Sequence, residues 1–265
     1  MRNQTPHSGE GKPVSDTRGV VADTARGTLG TVRNAVLLLD LLSDGPAYQQ
    51  LTDLAERSGL SAPTAHRLLR SLVLADLVEQ DARTSRYSLG PEVARLSQRY
   101  LGRLPILGAL SPYLVSLRDT LQATIHVALL VRESVVYVDR IDAADGGPYR
   151  ESHRVANALA TPSGRLLVSR AGDEAWERCL AEYPGTLQDA DDRRAEWAAA
   201  TQLVSGDAPP DPLPEIAVVV PDSSGHAVAA LAASVPPGQA PATPDVIAQH
   251  LGRAAGAAGR TLGHA

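Results

Sequence analysis

The segment 51–70, LTDLAERSGLSAPTAHRLLR, constrains the fold of this chain more than any other stretch of its sequence. Ala55 is small enough to let two helices approach each other, Gly59 follows four residues later, and Ala65 comes after six more. A glycine that follows a helix commonly adopts the left-handed conformation that redirects the chain. Ser61 then supplies an N-cap for a second helix. This spacing predicts two helices joined by a tight turn, a helix-turn-helix.

The sequence on either side of this segment predicts a winged helix-turn-helix over residues 30–90. Before the segment, apolar residues recur at helical spacing from Thr31 until the helix-stopping run Ser-Asp-Gly-Pro at 43–46. After it, two short β-prone runs at 78–80 and 86–89 flank a polar connection and predict a hairpin. A helical hairpin with no role in DNA binding could have the same two helices, but it would not be followed by the β-hairpin that forms the wing.

In this arrangement the second helix of the motif enters the DNA major groove, with its N-terminal part against the bases. Arginine can donate a pair of hydrogen bonds to guanine, and basic residues in a wing reach phosphates or the minor groove. For each candidate the alternative is an ordinary solvated position. The predicted DNA-binding residues are Arg33, Ser61, Ala62, Pro63, Thr64, His66, Arg67, Arg70, Arg83 and Arg86. One such module makes few contacts, so we expect a dimer, or a dimer of dimers, on two half-sites.

The distribution of charge agrees with a DNA-binding module in the N-terminal part of the chain. The net charge is −5, but residues 1–103 carry 13 basic and 11 acidic side chains, whereas residues 104–265 carry 12 and 19. A basic N-terminal part and an acidic C-terminal part are typical of a DNA-binding domain joined to a domain that does not contact DNA. Two-domain proteins also differ by this much without a functional reason.

The chain outside the winged motif predicts an α+β protein with three further parts. Residues 1–29 are rich in small and polar residues without periodicity, which predicts a disordered tail. Residues 91–104 predict an amphipathic linker helix, and residues 105–265 a second domain. In that domain we predict strands at 124–131, 134–140, 149–155, 216–220 and 227–234. The predicted helices are 107–121 (broken or capped near Pro112), one from the turn 160–164 through Arg170, 173–182, 191–204 and 245–262.

Several classes of protein are disfavoured. Cys179 is the only cysteine, which excludes an internal disulfide framework and a multi-cysteine metal site. No apolar run approaches the roughly 18–20 residues of a membrane span, and the start of the chain lacks a secretory apolar region, so we expect a cytoplasmic protein. The histidines lack metal-site spacing, and neither a phosphate loop nor a G-x-S-x-G elbow occurs. We therefore expect no enzyme activity, cofactor or metal.

Four segments together resemble the IclR family of bacterial transcription regulators, and the resemblance runs from about residue 31 to residue 264. They are GLSAPTAHRLLRSL, YSLGPEVARL, ATIHVALLVRESVVYVDRI and LATPSGRLLVS. The resemblance implies an N-terminal winged helix-turn-helix and a C-terminal effector-binding domain, in which helices flank a GAF-like antiparallel sheet. It also implies dimers or dimers of dimers, and many similar proteins are repressors.

The resemblance further implies a small-molecule pocket on the concave side of the C-terminal sheet. The effector-binding residues it implies are Pro162, Ser163, Gly164, Glu215, Ala232 and Ser234. Amide groups at a helix N-terminus favour a carboxylate. However, Glu215 stands where the family often has a cysteine, and Leu159 where it has a histidine. Because a glutamate opposes an anionic ligand unless it is protonated or paired, we expect a more apolar pocket, a larger neutral ligand, or no ligand.

These observations predict a sequence-specific DNA-binding transcriptional regulator, expected to be a repressor, whose operator affinity is controlled by a small-molecule effector. The linker helix would transmit the change between the two domains. The alternative is a DNA-binding regulator whose C-terminal domain only dimerises and senses no ligand. A third possibility, an enzyme with an accessory front domain, would need a reactive set of residues, and the sequence contains none that we recognise.

Overall fold

The computed structural model describes residues 17–143, 155–205, 215–235 and 242–262, with the backbone alone for 17–29. The chain divides into two compact units between Arg99 and Tyr100. This division falls within a helix, α4 (Pro91–Leu101), inside the segment that the sequence predicts as a linker.

The N-terminal unit is a three-helix bundle followed by a β-hairpin. Its elements are α1 (Thr17–Ser43), α2 (Leu51–Ser58), α3 (Ala62–Leu74), β1 (Val78–Gln80) and β2 (Tyr87–Leu89). Strands β1 and β2 pair antiparallel, with Val78 opposite Leu89. Leu38, Leu54 and Leu69 bring the three helices together in one apolar core, which Tyr87 closes from the hairpin. The predicted winged helix-turn-helix fold is therefore confirmed.

The turn between α2 and α3 follows from local sequence chemistry. Gly59 has a φ of +67°, where a side chain would be strained. Its N–H donates to the carbonyl of Glu56 at 3.2 Å, and the N–H of Leu60 donates to the carbonyl of Ala55 at 3.2 Å. Ser61 then accepts a hydrogen bond from the N–H of Thr64 through its hydroxyl at 3.4 Å. Both predicted helix signals in this turn are confirmed.

The structure places a helix in part of the segment 1–29, for which the sequence predicts a disordered tail. Helix α1 begins at Thr17, fourteen residues before the predicted start, and residues 1–16 lie outside the described part. No proline interrupts 17–43, and each residue added to an existing helix gains a backbone hydrogen bond without a new nucleation cost. The apolar periodicity on which the prediction relied begins at Thr31, and Leu38 and Leu42 in this part of α1 pack in the core.

In its described residues, the C-terminal unit forms a six-stranded antiparallel sheet with helices on both faces. Its helices are α5 (Pro105–Leu121), the 3₁₀ turn Ala158–Ala160, α6 (Pro162–Ser169), α7 (Asp173–Ala181), α8 (Ala190–Ala199) and α9 (Pro244–Leu262). Its strands are β3 (Thr124–Val131), β4 (Ser134–Ile141), β5 (Val155–Asn157), β6 (Gln202–Val204), β7 (Glu215–Pro221) and β8 (Ala227–Ser234). The strand order β5-β4-β3-β8-β7-β6 places β3 and β8 at the centre. The predicted α+β class is confirmed.

Side chains along the central strands point alternately to the two faces of this sheet, so each residue can be assigned to one face. Ile125, Val218 and Leu231 share one apolar core with residues of α5 and α9. The opposite face packs against α6, where Ala217 and Ala232 contact Leu166. Since side chains alternate along a strand, Glu215 and Ser234 also belong to the α6 face.

Two predicted helices differ from the structure. Helix α5 continues through Pro112 because this residue lies on the exposed side, while Leu110 and Leu114 anchor the turns before and after it. The predicted helix 191–204 ends at Ala199, and β6 follows as an edge strand paired with β7. Pairing with the sheet satisfies the backbone of β6, which no local helical signal could reveal. Most of the predicted strand 149–155 lies outside the described residues.

Among the described helices, none combines the length and apolar composition that a bilayer span requires.

Candidate nucleic-acid interface and buried polar site

Helix α3 presents two chemically distinct faces. Its buried face consists of Ala65, Leu68, Leu69 and Leu72. The residues predicted to contact DNA lie on the opposite side or at its N-terminus. Ser61, Ala62, Pro63, His66, Arg67 and Arg70 are exposed, and Thr64 is half-buried. The helix therefore shows solvent a surface with two arginines and one histidine.

The predicted basic residues outside α3 are exposed as well. Arg83 lies in the turn at the tip of the hairpin, Arg86 directly precedes β2, and Arg33 lies on α1. Within the described residues, no ion pair joins Arg67, Arg83 or Arg86 to an acidic side chain. Guanidinium groups without an acidic partner can meet a phosphate without first breaking an ion pair.

The tip of the wing is ordered by one aspartate. The Oδ1 atom of Asp81 accepts hydrogen bonds from the N–H groups of Arg83 at 2.7 Å and Thr84 at 3.3 Å. These bonds, led by the one from Arg83, lower the pKa of Asp81, while the slight burial opposes them. The backbone of Arg83 is therefore held in place, although its side chain extends into solvent.

A buried polar cluster lies on the α6 face of the C-terminal sheet, and Glu215 is at its centre. Glu215 is only 3% exposed. Its Oε1 atom accepts hydrogen bonds from the N–H of Ser163 at 3.1 Å and from the hydroxyl of Ser163 at 2.5 Å. Its Oε2 atom accepts the hydroxyl proton of Tyr137 at 2.6 Å. Three donors from two distant segments thus converge on one carboxylate.

The N-terminus of α6 supplies part of this cluster. Thr161 caps the helix, and its Oγ1 atom accepts the N–H of Gly164 at 3.0 Å. A Cβ atom at Gly164 would lie 2.1 Å from the carbonyl oxygen of Ala158. Gly164 is therefore needed for α6 to approach the preceding 3₁₀ turn. Pro162 is buried at the first position of the helix.

The end of β8 completes the cluster. Ser234 is the cross-strand partner of Glu215, and its hydroxyl lies 3.1 Å from Nε2 of His126 on β3. The His126 ring meets Tyr137 edge-on at 5.4 Å between ring centroids. Ala232 pairs with His126 and Ala217 and packs against Leu166. All six residues predicted for the effector site are buried around α6, but whether they bind an effector stays a prediction.

Two residues of this cluster were absent from the predicted site, Tyr137 and His126. Tyr137 lies in an otherwise apolar strand, VVYVDRI, and a buried tyrosine hydroxyl usually finds a hydrogen-bond partner. That rule predicts a partner without identifying it, because Tyr137 and Glu215 are 78 residues apart. Leu159, which stands where the resemblance implies a histidine, is fully buried in a separate apolar cluster with Trp176 and Cys179.

A metal site is not apparent in the described part of the chain, where no group of three or more His, Cys, Asp or Glu side chains could hold an ion.

Comparison with known proteins matches both units. Residues 31–82 match the model of the IclR helix-turn-helix domain. The transcriptional regulator XynR of Escherichia coli K12 is 26% identical over 157 residues, which cover 59% of this chain and 62% of that protein. The glycerol operon regulatory protein of Streptomyces coelicolor is 30% identical over 115 residues, covering 43% of this chain and 45% of that protein. The chain thus spans less than two thirds of each of these relatives.

Solved structures match over most of the chain. A putative IclR transcriptional regulator from Silicibacter sp. TM1040 has a TM-score of 0.73 and 26% identity, covering 88% of this chain and 96% of that one. An IclR homologue from Microbacterium hydrocarbonoxydans, solved in complex with 4-hydroxybenzoate, has a TM-score of 0.67 and 22% identity, covering 88% and 98%. Residues 31–82 therefore form a helix-turn-helix domain of the IclR type, and the chain is similar across both units to IclR-family transcriptional regulators.

Proposed function

We propose that this protein is a sequence-specific DNA-binding transcriptional repressor whose operator affinity is controlled by a small-molecule effector bound in the C-terminal unit. DNA binding rests on one observation above all. The exposed face of α3 carries Arg67 and Arg70 opposite a fully packed apolar face, and the wing beside it carries two more exposed arginines. A rigid helix with this surface has the shape and charge to enter a major groove.

The DNA complex proposed here is symmetric. A single winged module presents few base contacts, and specific protein–DNA complexes need more contact area than one module supplies. We therefore propose that a homodimer, or a dimer of dimers, places two copies of α3 on two half-sites. The operator would then consist of two related half-sites whose spacing reflects the dimer.

Selection from a random duplex library tests this proposal directly. The full chain is used for repeated selection, and the enriched sequence is titrated by fluorescence anisotropy against a scrambled duplex. We expect an enriched sequence with two related half-sites and at least a 1,000-fold preference over the scrambled duplex, roughly the lower end for specific complexes. If no sequence is enriched, and the protein ignores duplex DNA at low ionic strength, the proposed function is wrong.

Effector control is supported by the relative that was solved with 4-hydroxybenzoate. The buried polar cluster around Glu215 gives this chain a candidate site in the same unit. A compound that binds the folded protein raises its Tm, and coupling requires operator and compound to change each other's affinity by the same factor. A compound that raises Tm but leaves operator affinity unchanged at saturation would disprove the coupling.

The alternative, a C-terminal unit that only dimerises, is favoured by a specific observation. The polar groups at the N-terminus of α6 are already bonded within the chain, to Glu215 and Thr161. If a broad thermal-shift screen yields no compound that raises Tm, while the selected operator binds tightly, this alternative is preferred.

Arg83→Ala tests the role of the wing. We expect this change to weaken specific and scrambled duplexes by the same factor, because a phosphate contact carries no sequence information. The slope of log K against log salt should become shallower by about 0.9 for each phosphate that the variant no longer neutralises. Anisotropy titrations across a salt series measure both quantities. A weakening confined to the selected operator would instead make Arg83 a base-reading residue.

A further inference from the structure

The first turn of α6 has no amide donor left for a ligand. Pro162 has no N–H, and the other three N–H groups of this turn donate within the chain. The acceptors are Glu215 Oε1 for Ser163, Thr161 Oγ1 for Gly164 and the Thr161 carbonyl for Arg165. The first N–H groups of a helix usually lack partners inside the helix, and they form a natural site for anions. Here a side-chain carboxylate of the same protein occupies that position.

The contacts of Glu215 are those that a bound carboxylate would receive. One oxygen accepts two bonds from Ser163 and the other accepts one from Tyr137, and the group is shielded from solvent. The backbone of Glu215 is also anchored. Its N–H donates to the Ser205 hydroxyl at 2.9 Å, and its carbonyl accepts the N–H of Ser205 at 2.8 Å. The side chain therefore starts from a fixed strand and ends on fixed donors.

We propose that Glu215 is an internal ligand: its carboxylate fills a carboxylate-binding subsite formed by Ser163 and Tyr137, and it thereby excludes carboxylate effectors from this chain. The exclusion has two causes. The donors are already used, and a second carboxylate would approach a negative charge in a buried setting, where repulsion is poorly screened. A role of this exclusion in regulation rests on the proposed effector response. The binding of the Glu215 carboxylate by Ser163 and Tyr137 does not depend on that proposal.

Chemical rescue tests the internal ligand. Glu215→Ala removes the side chain beyond Cβ, and the missing atoms correspond to one molecule of acetate. Acetate should therefore bind the variant at Ser163 and Tyr137. We expect about 100 mM acetate to raise the Tm of the variant by about 4 °C relative to chloride at equal ionic strength, and that of the wild type by less than about 1 °C. Acetamide, which has the same shape without the charge, should give less than half the rise.

Leu231→Ala is the matched control. Leu231 is fully buried on the strand next to β7, but its side chain faces the apolar core on the other side of the sheet. This variant opens a cavity without hydrogen-bond donors, so acetate should not raise its Tm. The proposal is overturned if acetate stabilises both variants equally, or if acetate and acetamide stabilise Glu215→Ala equally, or if neither compound does.

A second measurement covers the case in which Glu215→Ala does not fold in chloride. The variant is refolded from urea in acetate or in acetamide, and the native fluorescence of the buried Trp176 and Trp197 reports the yield. A yield at least about threefold higher in acetate supports the internal ligand, since ligand binding favours only the folded state. Equal or zero yields in both solutions overturn it.

The experiment also separates this inference from the proposed function, because the Tm measurements contain no DNA. Rescue by acetate, together with a wild-type protein that selects no operator, would retain the internal ligand and disprove the proposed function. Absence of rescue, together with tight operator binding by the wild type, would disprove the internal ligand and leave DNA binding intact.

Discussion

Gly164→Ala should destabilise the C-terminal unit by about 3 kcal/mol or more and lower its Tm by about 10 °C. The added Cβ would lie 2.1 Å from the carbonyl oxygen and 2.6 Å from the Cα of Ala158. Both atoms belong to the backbone of the 3₁₀ turn, so no side-chain rotation can relieve the overlap. Helix α6 would have to move away from this turn, and Ser163 would move with it and loosen its bonds to Glu215. Thermal unfolding followed by circular dichroism measures the change.

Gly252→Ala is the control for this change, because the same substitution in α9 should have the opposite sign. Gly252 is exposed, and a Cβ there would meet no atom within 4 Å. Alanine inside a helix is favoured over glycine by up to about 1 kcal/mol, so Gly252→Ala should raise stability slightly. If both variants change stability in the same direction, close contact with Ala158 is not what requires glycine at 164.

Arg67→Ala should weaken the complex with the selected operator by about 1–3 kcal/mol, a factor of about 5 to 150, while binding to a scrambled duplex changes little. Arg67 is exposed in the N-terminal half of α3, where the recognition helix of such a motif meets base edges. Removing a bidentate pair of hydrogen bonds to guanine reduces discrimination as well as affinity. Anisotropy titrations with both duplexes at one salt concentration give the two values.

Arg193→Ala provides the matched control for Arg67→Ala. Arg193 is an exposed arginine on α8 of the C-terminal unit and pairs with Glu196 at 2.9 Å. Removing it changes the net charge of the protein by the same amount, but should leave both DNA affinities unchanged. If Arg67→Ala weakens the selected and the scrambled duplex equally, Arg67 contacts phosphate and does not read sequence.

The helix-turn-helix was predictable because its signals are local. Gly59 and Ser61 act within a few residues of their own positions, so their effect on the backbone does not depend on distant parts of the chain. The hairpin after α3 was predictable for the same reason, since β1 and β2 are near neighbours in sequence. The exposed arginines followed from the helical period, which separates them from the buried face.

The start of α1 and the strand β6 were not predictable from such signals. Residues 17–29 lack the apolar periodicity that is typical of a helix packed against a core. They nevertheless belong to the same helix, α1, as the periodic residues from Thr31 onward. β6 is three residues long and is defined by its pairing with β7, which lies beyond a further loop. For β6 a neighbouring strand sets the conformation, and short-range sequence preferences are too weak to oppose it.

The amino-acid sequence by itself determined the winged motif and the α+β character of the rest, because both depend on local caps and periodicity, and the family resemblance selected the six candidate positions that the structure places around α6. It could also show that Glu215 was an unusual residue for a ligand site. Only the tertiary structure decided what Glu215 does, since Tyr137, Ser163 and Glu215 come from three separated segments. A buried carboxylate must find donors, and the packing of β4 and α6 against β7 determines which donors it meets.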